Sequence, residues 1–294
     1  MAGVDTSMYT GRKVRIGMVN FINTAPLYDV WLRTVNRSDW SVVEASPSVL
    51  NRMLYADQLD MGLVSSQEYG AHPENYILLD DISISASGPV GSVFLFSRCE
   101  PEYLTDRLVL LSGQSQTSVS LVKIILEDFY KVKPFYEIGA VLDAQHKNNI
   151  SGVLAIGDEA LILAQNKIYP HKIDLGKIWH EETSLPFVFA VWAMQAEFCR
   201  MQPEIVREIH QELLRCRQAG KDDLRNICRR VSPRVSMEAD ACYEYLRGIE
   251  HDLGPEKKKG LIRFIEYLIE RGEGTKKALP LKLFSETIGA LPAA

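Results

Sequence analysis

The chain has 294 residues, 46% hydrophobic and 24% charged, with a formal net charge of -5 and a pI near 5.8. That is globular composition, long enough for one large domain or two ordinary ones. Basic residues are scattered, so nucleic acid is not implied, and no apolar run reaches membrane-spanning length.

In chain order, Val14 to Val19 reads as a short apolar strand running into Asn20-Phe21-Ile22-Asn23-Thr24, with Pro26 where a helix's first turn belongs. Proline lacks an N–H and has φ preset for that position. Asn23 and Thr24 therefore fall at the C-terminal end of a strand, where open α/β sheets bind ligands. They could equally be helix caps. A helix over about Leu27 to Val35 follows, then a strand over Ser41 to Ala45. Ser46-Pro47-Ser48 starts a second helix with Val49, Leu50, Met53 and Leu54 on one face. Leu59 to Val64 repeats the opening: an apolar strand delivers Ser65-Ser66 to a helix start, whose unpaired N–H groups suit a carboxylate or phosphate.

Tyr76 to Leu79 and Ile82 to Ala86 read as two strand segments. Gly88-Pro89 and Gly91 then break the approach to an apolar run ending at Ser97. Glycine in a strand pattern marks a bulge or a close approach, so this is either a crossing strand presenting Ser92 near a cleft or a kinked edge strand. From about residue 99 a second α/β unit begins. Leu108 to Leu111 is a strand, and the polar loop Ser112 to Ser118 opens a helix over Val119 to Tyr130. This loop is longer than capping needs, making Thr117 and Ser118 the best of the three anion seats. Phe135 to Ile138 and Gly152 to Ile156 read as strands, the second ending in Gly157-Asp158, with Asp158 either a cap or a cleft residue. Ile173 to Gly176 and a helix-like Lys177 to Glu182 lead to a second long apolar strand, Leu185 to Ala193. Pro203 to Arg271 is nearly all helical, broken around Ser232-Pro233 and Gly254-Pro255.

The pattern predicts one α/β unit inserted in another: a first lobe of residues 12–97 and 190–294, a second of residues 98–189, and a cleft between them. The tail's apolar stripes (Ile205, Ile209, Leu213; Leu261, Phe264, Ile265, Leu268) read as lobe packing, with a homodimer contact the other use open to them. Lys257-Lys258-Lys259 reads as a solvated helix start. Five cysteines without metal-type spacing suit reduced thiols in a cytoplasmic protein. The histidines show no HxxxH or HExxH spacing, so neither a metal nor another cofactor is expected. Residues Met1 to Gly11 carry no apolar stretch of the secretory kind.

Six blocks in order resemble one family. They are Arg15-Ile16-Gly17 with Asn20-Phe21-Ile22-Asn23-Thr24-Ala25-Pro26-Leu27; Leu59 to Tyr69; Gly88 to Val93; Gln116-Thr117-Ser118; Ile156 to Ala160; and Leu185 to Trp192. The family is the chorismate dehydratase of the futalosine route to menaquinone, and the likeness covers roughly residues 12–200. Phe21-Ile22 replaces the commoner Tyr-Leu, and Ala25 stands where an Arg is frequent. The resemblance implies a two-lobe α/β fold of the periplasmic-binding-protein type (type II) with a helical C-terminal tail, in a protein that is not secreted. It also implies loss of water from chorismate to give 3-[(1-carboxyvinyl)oxy]benzoate.

On that reading Asn23 and Ser92 are the catalytic candidates, bonding the departing hydroxyl or the enolpyruvyl carboxylate, and that carboxylate takes the ring proton itself. Glu68 is the alternative base. Thr24, Ser65, Ser66, Thr117, Ser118, Gly157 and Asp158 are the substrate-binding candidates. Two competing readings share the fold. One is a non-catalytic solute-binding protein, and the other is the sister naphthoate-forming enzyme of the pathway, for which His146 is the candidate base.

Overall fold

The computed structural model describes residues 11–146, 149–165 and 168–284. Two mixed sheets carry the chain. The first is built from β1 (Val14–Met18), β2 (Trp40–Glu44), β3 (Met61–Ser65), β4 (Tyr76–Ala86), β10 (Phe187–Gln195) and β11 (Leu283–Phe284), in the spatial order β11-β4-β10-β3-β1-β2. The second contains β5 (Val93–Ser97), β6 (Leu108–Leu111), β7 (Phe135–Ile138), β8 (Ile150–Ile156) and β9 (His171–Asp174), in the order β7-β6-β8-β5-β9. Within each sheet the strands joined by helical crossovers are parallel. The returning strands, β10 in the first and β5 in the second, run antiparallel to their neighbours.

β3 is buried along its whole length, as a strand covered on both faces must be. Its approach is pinned by Asp60, only 2% exposed. Asp60 accepts from the guanidinium of Arg12 at 2.6 Å and from that of Arg15 at 2.9 Å. These bonds hold its carboxyl below the usual range despite burial, which pushes the other way.

The helices are α1 (Ala25–Thr34), α2 (Pro47–Tyr55), α3 (Ser66–Ala71), α4 (Gln116–Lys123), α5 (Gly157–Gln165), α6 (Leu175–Thr183), α7 (Ala196–Met201), α8 (Pro203–Asp222), α9 (Leu224–Val231), α10 (Ala239–Arg247) and α11 (Pro255–Glu270). The α1 and α8 backbones touch where Gly220 faces the carbonyl of Pro26. A Cβ on Gly220 would lie 1.4 Å from that oxygen, so only glycine permits the contact. An aromatic cluster ties the lobes together. The Trp179 ring of α6 meets Phe187 of β10 edge-on at 5.0 Å between centroids, and Tyr267 of α11 at 5.8 Å. Such contacts add to the apolar area already buried.

Several expectations shift. The two segments between Tyr76 and Ala86 form one strand, with Asp81 in the left-handed region at φ 53°. Val93–Ser97, expected with the first lobe, pairs with β8 and β9 in the second sheet. The crossing is therefore made by the glycine-broken stretch 87–92 and not by the apolar strand. The helix expected over Val119 to Tyr130 starts at Gln116 and loosens into a π turn over Ile124–Phe129. Of the lysine run at the start of α11, Lys257 is buried between Glu250 and Asp252, and Lys258 pairs with Asp80 at 2.6 Å. Its solvated character belongs to Lys259 alone. Among the described residues no helix is long and apolar enough to cross a membrane.

Candidate active site

The crossing stretch 87–92 is stitched to the start of α6 in the second unit. The Asp174 carboxylate caps α6 by accepting from Lys177 N at 3.1 Å, and it also accepts from Val90 N at 3.1 Å and Gly91 N at 2.7 Å. Gly91 can make this turn because its φ is 72°. The following residue, Ser92, is thereby fixed at the mouth of the second sheet, where its carbonyl accepts from Gly157 N at 2.8 Å.

The opening elbow folds on Thr24. Its hydroxyl donates to the carbonyls of Val19 at 2.7 Å and Phe21 at 2.8 Å, and makes no cap bond to α1. Thr24 thus shapes the loop from within. Asn23 is held through its main chain, where its carbonyl accepts from His251 Nε2 at 2.8 Å. Burial pushes the His251 pKa down, which keeps the ring neutral, and a carbonyl partner requires the proton to sit on Nε2. The side-chain oxygen Oδ1 of Asn23 is buried without a hydrogen-bond partner.

Two serines cap helices at the cleft. Ser65 Oγ accepts from Glu68 N at 3.3 Å and from Asn51 Nδ2 at 2.7 Å. Ser115 Oγ accepts from Ser118 N at 3.3 Å and from the Ser118 hydroxyl at 3.2 Å. Asn23, Thr24, Ser65, Ser115, Ser118 and Gly157 converge on one cavity of about 50 Å³ between the lobes, walled by apolar side chains that include Phe21, Leu63 and Phe189. Among the described residues no acid, base or histidine lines it. The volume lies well below the roughly 300–1,000 Å³ usual for a small-molecule site, so this is a closed arrangement.

Other candidates hold that closure. Thr117 Oγ1 accepts from Gln67 N across the cleft at 3.0 Å, whereas Ser66 Oγ donates to Val188 O at 2.7 Å within the first sheet. Asp158 Oδ1 accepts from Ile22 N at 3.0 Å, and its other oxygen stands 3.6 Å from Arg234. Burial nevertheless raises its pKa. Gln114 O accepts from Ser48 N at 3.0 Å, and Gln116 bonds Asn51. On the far side, Arg271 is 16% exposed and reaches Glu127 at 2.9 Å and Asp128 at 3.0 Å. Ser66, Thr117 and Asp158 therefore direct their polar atoms to protein partners, while Asn23, Ser65 and Ser118 border the cavity. Ser92 is fully buried just behind the wall formed by Val90, Val93 and Gly157, and its hydroxyl has no partner.

Glu68 faces away from the cavity. It is 4% exposed and accepts the Tyr76 hydroxyl at 2.9 Å, and burial raises its pKa. The side chain of His146 lies outside the described residues. Sequence reasoning passed over Ser115, which sat inside a loop already singled out, and His251, which no local pattern connects to Asn23. A larger hollow of about 540 Å³ lies outside the cleft against α8 and α10; it includes His251 but none of the sequence-predicted site residues.

Residues 14–270 match the menaquinone biosynthesis family. The chain is 31% identical over 271 residues to the chorismate dehydratase of Thermus thermophilus, covering 86% of this chain and 94% of that one. It is 28% identical over 183 residues to the chorismate dehydratase of Campylobacter jejuni, covering 59% and 64%. Among solved structures it resembles the alkanesulfonate-binding protein SsuA from Xanthomonas axonopodis, with a TM-score of 0.69 at 11% identity over 92% of this chain and 98% of that one. It also resembles protein AF1704 from Archaeoglobus fulgidus, with a TM-score of 0.65 at 15% identity over 90% and 99%. These two likenesses speak to the fold alone, which is that of periplasmic binding proteins.

Proposed function

We propose that this chain, which belongs to the menaquinone biosynthesis family and within it to the chorismate dehydratases, expels water from chorismate in the cleft between its lobes. The reaction removes the ring proton at the carbon bearing the enolpyruvyl ether and the hydroxyl on the neighbouring carbon, and aromatisation drives it. The product is 3-[(1-carboxyvinyl)oxy]benzoate. We place the step in the futalosine route and in the cytoplasm, a location supported by five cysteines that are all free.

One observation carries the mechanism: among the described residues the interlobe cavity is lined by an asparagine and serine hydroxyls, with no titratable side chain. A base must then come with the substrate, whose enolpyruvyl carboxylate is ionised at neutral pH and tethered near the ring proton. Such an intramolecular base gains from proximity what it lacks in strength. The protein's part is to hold that conformer. Ser92, whose Oγ is unpartnered, donates to the departing hydroxyl, while Asn23 accepts that hydroxyl's hydrogen at its unpartnered Oδ1 and donates through Nδ2 to the enolpyruvyl group. Ser65 offers its hydroxyl hydrogen to the ring carboxylate, and the Ser115–Ser118 pair offers that of Ser115. Thr117 and Asp158 shut the lobes over it, excluding water from the reacting atoms.

The test is incubation of purified protein with chorismate, followed by mass. A product lighter by one water, whose formation falls at least a hundredfold in both Asn23→Ala and Ser92→Ala, is the expected result. Turnover near wild type in both variants would overturn the residue assignment, and binding without turnover would overturn the reaction.

A further inference from the structure

Two buried hydroxyls stand side by side with no hydrogen-bond partner: Ser92 Oγ and the phenol oxygen of Tyr245. The Tyr245 ring comes from α10 and packs on the bare backbone of Gly91, where a Cβ would meet ring carbons at 3.1 and 3.4 Å. The phenol faces the Ser92 hydroxyl, yet the pair does not meet hydrogen-bond geometry. Neighbouring buried polar atoms left unmatched are costly and call for a reason.

The surrounding segment is firmly placed. Glu250 and Ser85 exchange backbone hydrogen bonds at 2.9 Å in both directions, which locks the end of α10 to β4. Tyr245 thus arrives at Ser92 on a rigid support more than 150 residues away in the chain.

We propose that Tyr245 is a positioning residue for the dehydration, donating its phenolic hydrogen to Ser92 Oγ so that the serine's own hydrogen points at the hydroxyl that leaves. Burial pushes the phenol's pKa up, so it keeps a hydrogen to donate, and with the serine's own hydrogen turned to the substrate the phenol is the donor of the pair. Each bond in such a chain polarises the next, and the serine becomes a better donor to the oxygen that gains charge as the C–O bond breaks. The proposal rests on the dehydratase reading, and its test separates the two.

Tyr245→Phe keeps the ring on Gly91 and removes one oxygen. Wild type, Tyr245→Phe, Ser92→Ala and the double variant are compared for chorismate turnover and thermal midpoint. We expect kcat to fall about tenfold in Tyr245→Phe, equal to about 1.4 kcal/mol of barrier, with KM within about twofold and an unchanged midpoint. In the Ser92→Ala background the same change has no further effect. Wild-type turnover in Tyr245→Phe overturns the proposal. So does an equal fall in both backgrounds, since the phenol would then act without Ser92, and so does a loss that tracks a lowered midpoint. Absence of turnover in wild type overturns the dehydratase reading and this proposal with it.

Discussion

Gly220→Ala is the sharpest test of how α8 sets the position of the opening elbow. Helix propensity alone predicts a gain of about 1 kcal/mol, because alanine is the better helix former. Packing predicts the opposite. The added Cβ would stand 1.4 Å from Pro26 O and 2.4 Å from its carbonyl carbon, and Cβ contacts under 3.0 Å essentially never occur. The helices must therefore part by about 1.6 Å, and the obstacle is backbone, which cannot rotate away. Overpacking of this kind costs about 1–3 kcal/mol or more, and separation also opens space along the α1–α8 contact. The net expectation is a loss of about 2 kcal/mol, or roughly 3 °C in thermal midpoint for a chain of this size. Pro26 follows Asn23 by three residues, so chorismate turnover falls with it. Circular dichroism melts and the mass assay on the same preparation read both. A midpoint equal to wild type or higher would refute the reasoning, because propensity would then have outweighed the contact.

Two further outcomes follow from side chains at the lobe boundary and the tail. Arg271→Met leaves Glu127, Asp128 and Glu273 without their shared cation. It should cost about 2 kcal/mol, discounted for partial exposure, and enlarge the radius of gyration in small-angle scattering; an unchanged scattering curve would show that the lobes close without this clasp. His251 has a pKa lowered by burial, so the unfolded chain binds its proton more readily than the folded one. Its contribution is full above pH 6.5 and is lost as pH falls from there through the folded value. Wild type should lose stability relative to His251→Gln across that window, and parallel melting curves from pH 8 to 5 would contradict it.

Much of the architecture was legible because it is written in local contrasts. Apolar strands running into small polar residues marked the elbow at Asn23, the Ser65-Ser66 junction and the loop before α4. Pro26 and Pro47 marked helix starts, and the glycines at 88 and 91 marked the crossing. What escaped has physical causes. Asp80-Asp81 looks like a break, yet the strand continues because Asp81 takes up a left-handed kink, with its N–H donating to Asp80 Oδ1 at 2.8 Å. The second lobe's start was placed too late because an apolar strand after a glycine-rich turn gives no sign of which sheet it joins. Ser66 and Thr117 looked like anion seats on their hydroxyls and the N–H groups of a helix start, whereas in the folded chain each hydroxyl bonds backbone. Tyr245 and His251 carry no local signal, since what matters is contact with residues near the opposite end of the chain.

The position of β10 between β3 and β4 has a consequence for synthesis. On a growing chain β4 emerges with neither of its eventual neighbours yet made, and about a hundred residues separate Ala86 from Phe187. The second sheet, from Val93 to Asp174, is contiguous and can be finished in that interval, as units on a ribosome generally are. Until β10 arrives, β3 and β4 expose the unpaired apolar edges that invite association between nascent chains. Expression yield of this protein is therefore tied to how promptly the inserted lobe folds and releases β10, and substitutions that slow it will be felt as insolubility before they are felt as lost turnover.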